Sequence, residues 1–154
     1  MITEVKAPNK YTHSNLFLAG SIESGKAEEW QQRFLKDMRK KFTVNPKVNY
    51  MVLNPRRDNW SFCKAELEKQ VEWELDGLAS SDYIAMYFDD DTISPISLLE
   101  LGLFATERIF IRCSPKYYRY TNIKVLSQKA NLLLFSDEEE WRDAIFAAMT
   151  EEYS

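Results

Sequence analysis

The sequence predicts an α/β protein in which a parallel sheet is covered by helices on both faces. Two observations carry this expectation. Short apolar runs of strand formers alternate five times with longer segments of helical periodicity, the pattern of repeated strand–helix–strand units. The central run, Tyr83 to Phe88 (YIAMYF), is apolar throughout rather than alternating, as expected of a strand buried on both faces. Composition suits one such domain: 154 residues, 45% apolar and 14% aromatic, are enough for a proper core and argue against disorder.

Residues 1–14 are polar and read as an N-terminal arm, leaving residues 15–154 as a single domain. Asn15 to Ala19 (NLFLA) forms a short buried strand that ends at Gly20. The segment GSIESGK, Gly20 to Lys26, then turns into a helix over roughly Ala27 to Lys41, with Trp30, Phe34, Leu35 and Met38 on one side. Asn45 and Pro46 break that helix. Asn49 to Leu53 (NYMVL) is a second strand, followed by the loop NPRRDNW, Asn54 to Trp60. Phe62 to Ala79 is helical, with Leu67, Val71, Leu75 and Leu78 as its core stripe. The central strand stops in three carboxylates, Asp89, Asp90 and Asp91. Ser94 then offers a hydroxyl N-cap, and Pro95 takes the first position of another helix. Arg108 to Arg112 is a fourth strand, Thr121 to Ala130 a helix, and Leu132 to Phe135 a fifth strand. Asp137 to Met149 closes the chain as an amphipathic helix with an N-capping aspartate and an acidic first turn. For five strands the simplest arrangement is a flavodoxin-like three-layer sandwich with strand order 2-1-3-4-5. Ligands of such sheets bind beyond the carboxyl ends of the strands, near the topological switch point. The loops after the first three strands therefore open on one rim.

Charge and residue counts narrow the function. A formal charge of −4 provides no basic surface for duplex nucleic acid, so the expected partner is a small molecule or a protein. A lone histidine, His13, argues against a histidine-cluster zinc site and a serine–histidine–aspartate hydrolase. No metal or organic cofactor is expected. Cys63 and Cys113 lie far apart and read as reduced thiols of a cytoplasmic protein. No apolar run approaches the ~20 residues of a membrane span, and no signal peptide opens the chain.

Three motifs carry chemistry. GSIESGK nearly matches the phosphate-loop pattern GxxxxGK[ST], but Ala27 stands where a magnesium-binding hydroxyl is needed. That leaves a phosphotransferase with Asp89 as its acidic partner as a minor reading. A milder one has Ser21 and the turn's amides holding one phosphate or a sugar hydroxyl, and a plain tight turn accounts for the same glycines. In NPRRDNW, two arginines and an aromatic suit a planar or anionic ligand, while a stiff loop with its arginines on nearby acids fits equally. The third motif is a set of acids. Glu100 sits inside SPISLLELG among Leu98, Leu99 and Leu101, where a carboxylate is costly to bury. Glu74 lies at the edge of the apolar side of its helix. Two carboxylates reaching one pocket divide into a nucleophile and a partner that orients substrate or moves protons.

Taken together, FLAGSI, VLNPRRDNW, QVEWELDGLASSD and SPISLLELG resemble the nucleoside 2-deoxyribosyltransferase family, in particular its branch with the NPRR loop. The resemblance runs from about Asn15 to Ala105. It implies cleavage of the N-glycosidic bond of a nucleoside or nucleotide, with the deoxyribosyl group passing through a covalent enzyme ester to another base or to water. Glu100 of LLELG matches the family nucleophile, and Glu74 an acid that contacts the sugar. Ser94 falls where the transferases have an aspartate and the related nucleotide N-glycosidases a phosphate-binding serine; Ser21 matches another phosphate-binding serine. Both serines tilt the expectation toward a 5′-monophosphate. Gly20, Asn54, Arg56, Arg57, Trp60, Asp89 and Asp91 complete the expected substrate-binding set. Phe17 stands where a tyrosine usually supports the nucleophile, with Tyr83 or Tyr87 as substitutes, which keeps a non-catalytic nucleotide sensor in view. The family also implies a homo-oligomer, for which Tyr117 to Tyr120 is one candidate contact.

Overall fold

The computed structural model describes residues 1–43, 47–60 and 63–151. Its sheet has six parallel strands rather than five. They are β1 (Ile2–Lys6), β2 (Leu16–Gly20), β3 (Tyr50–Asn54), β4 (Tyr83–Tyr87), β5 (Ile109–Arg112) and β6 (Leu133–Phe135), in the order β1-β3-β2-β4-β5-β6. The additional strand comes from the presumed arm: Ile2 pairs with Tyr50 and Lys6 with Asn54. Without β1, the remaining order is the one the sequence predicts, with the switch point between β2 and β4. The helices are α1 (Trp30–Phe42), α2 (Lys64–Ser80), α3 (Pro95–Leu103), α4 (Tyr120–Ala130) and α5 (Glu138–Glu151). No described helix is long and apolar enough to cross a membrane.

Strand alternation divides the core into two layers. Phe17 and Ala19 of β2 and Ile84 and Met86 of β4 face α2, α3 and α4, joining Trp73, Leu78, Leu101 and Ile123. Leu16, Leu18, Ala85 and Tyr87 face α1 and α5, joining Trp30, Phe34, Leu35, Met38, Trp141 and Ile145. Burying each of these large side chains contributes about 1.5–3 kcal/mol, so the central strands anchor the whole sandwich.

Three local expectations are corrected. The helix after GSIESGK begins at Trp30 rather than Ala27, because Ala27 and Glu28 turn their carbonyls to the Arg56 guanidinium, 3.1 and 2.9 Å away. Of the expected apolar stripe of α2 only Leu78 is core: Leu67, Val71 and Leu75 are 49%, 45% and 36% exposed, while Gln70, Trp73 and Gly77 face inward with Leu78. Periodicity finds an apolar face but does not say what covers it. Ser94 occupies the N-cap of α3 in a left-handed conformation (φ 48°) without capping the helix through its hydroxyl. The expected aspartate cap of the last helix is present, with Asp137 accepting from the Glu140 amide at 2.9 Å. Asn45, Pro46 and Phe62 lie outside the described residues.

Candidate functional site

A cavity of about 620 Å³ opens at the carboxyl ends of β2, β3 and β4, where an open α/β sheet is expected to bind ligands. Three elements build it. The β2–α1 turn contributes Gly20, Ile22, Glu23, Ser24 and Lys26; the β3–α2 side contributes Pro55, Trp60, Leu67, Gln70, Val71 and Glu74; the start of α3 contributes Ile93, Ser94, Ile96, Ser97 and Glu100. Gly20 is required where it stands. Its φ is +134°, and a Cβ there would meet the Tyr87 carbonyl oxygen at 2.1 Å.

Two acids line this space. Glu100, 6% exposed, points from the inner side of α3, and Glu74 reaches in from α2. Burial first, and the Glu74 charge second, push the Glu100 carboxyl up to about 8. Burial also lifts Glu74, to about 7, against the opposing effect of a hydrogen bond from Gln70. A pair of carboxyls that share protons near neutrality can supply one nucleophile and one proton carrier. Gln70 was not singled out by its sequence. It precedes Glu74 by one helical turn on the same face, which is the only signal that could have found it. It also donates to the Pro55 carbonyl at 3.0 Å, tying α2 to the β3 loop.

Beside the acids lies a knot of hydroxyls. Ser21 Oγ and Thr92 Oγ1 each lie 2.6 Å from Ser94 Oγ and 3.0 Å from one another. Ser21 Oγ also accepts from the Asp89 amide at 2.8 Å, so Ser21 stands behind the cavity wall and Ser94 forms part of it. The turn itself is closed. Gly25 and Ala27 donate their amides to the Ile22 carbonyl, Lys26 to Glu23, and Ser21 to Tyr87. A phosphate-cradling loop needs those amides free and a helix starting at once, so this geometry does not support the phosphotransferase reading.

Of the remaining expected residues, Trp60 lines the cavity and packs its indole against Gly25. Arg56 does not line it. Its buried guanidinium also bonds Gln31 at 3.1 Å and pairs with Glu29 at 3.3 Å. Asn54 holds the Arg56 amide and the Glu4 carboxylate. Arg57 lines a separate charged cleft of about 430 Å³ with Glu4, Lys6 and Asp58. Asp89 accepts from the amides of Glu28 and Asp91, and Asp91 is exposed. Phe17 is fully buried against Trp73, the Tyr83 hydroxyl turns to Ala148, and the Tyr87 hydroxyl bonds Glu28 and Arg33. Tyr117 is core as well, its hydroxyl donating to the Ile93 carbonyl at 2.6 Å.

A parallel sheet with paired acids at its switch point defines a class of α/β proteins that bind small molecules at the strand ends. More narrowly, the chain belongs to the nucleoside 2-deoxyribosyltransferase-like family, whose sequence pattern matches residues 13–118. That span contains every residue lining the cavity. A search among curated proteins finds no match.

Proposed function

We propose that this protein cleaves or transfers the N-glycosidic bond of a nucleoside or its 5′-monophosphate. The observation that carries the reading is a pair of carboxyls, Glu100 and Glu74, sharing one cavity at the switch point. Ionised Glu100 attacks C1′ as the bond to the base breaks and its electrons pass to the base nitrogen. Glu74, the first of the two to ionise, orients the sugar, takes up the Glu100 proton as that carboxyl attacks, and delivers it to the departing base. The oxocarbenium-like state is stabilised by adjacent negative charge, and a second base or water then releases the glycosyl ester. Trp60 provides a face on which a planar base stacks. The geometry gives no support to direct substrate contacts by Asn54, Arg56, Asp89 and Asp91; they shape the loops around the site.

Replacing Glu100→Gln should abolish release of free base from deoxynucleosides, measured by chromatography, with the thermal unfolding transition still cooperative. Retained release would remove Glu100 as nucleophile. One observation favours a second reading, a non-catalytic nucleotide sensor: Phe17 is core, and the Tyr83 and Tyr87 hydroxyls are committed elsewhere, so neither supports Glu100. A sensor would gain thermal stability from nucleosides without producing any base. The two cysteines are free thiols, which accords with a reducing, cytoplasmic setting.

A further inference from the structure

The hydroxyl knot beside Glu100 has an acid on it. The backbone amide of Ser94, at the N-terminus of α3, donates to Glu23 Oε1 at 2.7 Å, and Glu23 lines the same cavity. Bringing that carboxylate there takes unusual backbone: Glu23 and Ser94 both adopt positive φ, 51° and 48°, and so does Ser24, which follows Glu23 in the turn. Such conformations are costly for residues with a Cβ and persist where the surroundings impose them. The protein's own carboxylate thus stands where a helix N-terminus would attract an outside anion. Several other groups that would welcome a phosphate are engaged as well. The amides of Ser21, Gly25, Lys26 and Ala27 point to internal carbonyls, and the three hydroxyls bond one another. Among the described residues lining the cavity, Lys26 is the single cation, and it is exposed.

Building on the glycosidic reading above, we infer that Glu23 reads the 5′ end of the sugar, accepting a hydrogen bond from a free 5′-hydroxyl and rejecting a 5′-phosphate. The spacing along α3 fits. Ser94 precedes Glu100 by six residues, about 9 Å of helix, and helical side chains lean back toward the N-terminus. A furanose with C1′ at Glu100 therefore extends its far end toward Ser94 and Glu23. The base lies on the side of Trp60 and Leu67. Specificity for the neutral nucleoside then comes from a like charge placed against the wrong substrate. This inference runs against the tilt toward monophosphates that the two serines alone suggest.

The test compares base release from a deoxynucleoside and its 5′-monophosphate for the wild-type protein and Glu23→Gln, which keeps an acceptor for the Ser94 amide but removes the charge. Wild type should favour the nucleoside in kcat/KM by roughly tenfold or more, and Glu23→Gln should narrow the ratio mainly through KM for the monophosphate. An unchanged ratio in Glu23→Gln overturns the inference, as does wild-type preference for the monophosphate or a change in base preference instead. If neither compound releases base, the glycosidic reading fails on its own, and ligand-induced thermal shifts decide about Glu23. Stabilisation of wild type by the nucleoside alone, extended to the monophosphate in Glu23→Gln, supports it; equal shifts or none refute it.

Discussion

Glu100 and Glu74 are held protonated at pH values where a free glutamate is ionised, and this makes their chemistry visible in stability. The folded value for Glu100 is raised from 4.5 to about 8, chiefly by burial, and that for Glu74 from 4.5 to about 7. Between these limits the folded state binds more protons than the unfolded chain, so the stability from this pair is complete below about pH 4.5 and drains away as pH rises through 7 and 8. Glu100→Gln fixes one member in its neutral form. Urea unfolding at pH 5 and pH 8.5 should therefore reveal a shallower alkaline loss of stability in the variant than in the wild type. Parallel slopes would place Glu100 in contact with water rather than in the cavity wall. At this scale the sequence was informative where a residue broke its local pattern. A lone acid among leucines marks Glu100, whereas Glu23 is one polar residue in a polar turn and gains meaning only from the left-handed backbone that brings it to Ser94.

The loop after β3 carries the lesson for elements. Its residue types announce two arginines beside an aromatic, but spacing does not tell whether a guanidinium faces ligand or protein. Here Arg56 is 7% exposed and staples β3 to the segment before α1 through the Ala27 and Glu28 carbonyls and the Gln31 side chain. Removing it in Arg56→Ala orphans these acceptors, at a cost of about 1–3 kcal/mol by the measure of unsatisfied buried polar groups. Urea unfolding should register that loss, with Arg56→Lys recovering only part, since one ammonium cannot reproduce a planar fork. A loss below about 1 kcal/mol would return Arg56 to the list of substrate-facing groups. The same reasoning separates legible from illegible elements. β4 declared itself because both faces are buried and all its residues are apolar. β1 did not, because an edge strand with Glu4 and Lys6 in five residues resembles a polar tail until Tyr50 to Asn54 is there to pair with it.

On the scale of the whole molecule, the outstanding feature among the described residues is exposed apolar surface. Leu67, Val71 and Leu75 of α2 and Ile96, Leu99 and Leu103 of α3 are all more than a third exposed, with Ile93 at the head of α3. Part of this surface forms the cavity mouth, which a bound base would cover. Leu99 and Leu103, 59% and 60% exposed, do not line the cavity, so ligand alone does not account for them. Large apolar side chains left exposed on helices mark an association site, and closed symmetric pairs are the commonest outcome for identical chains. We propose the outer faces of α2 and α3 as the contact for the self-association that the family resemblance implies. Light scattering should give a mass that is a multiple of 18.1 kDa for the wild type and 18.1 kDa for the double variant Leu99→Asp/Leu103→Asp. A wild-type protein that is already monomeric, or a variant that still associates, would refute the placement. Activity adds a second reading of the same experiment. Because neither leucine lines the cavity, a monomeric variant that folds but loses turnover would mean that the second copy helps to close the site around substrate, whereas full turnover would mean each chain's cavity is complete.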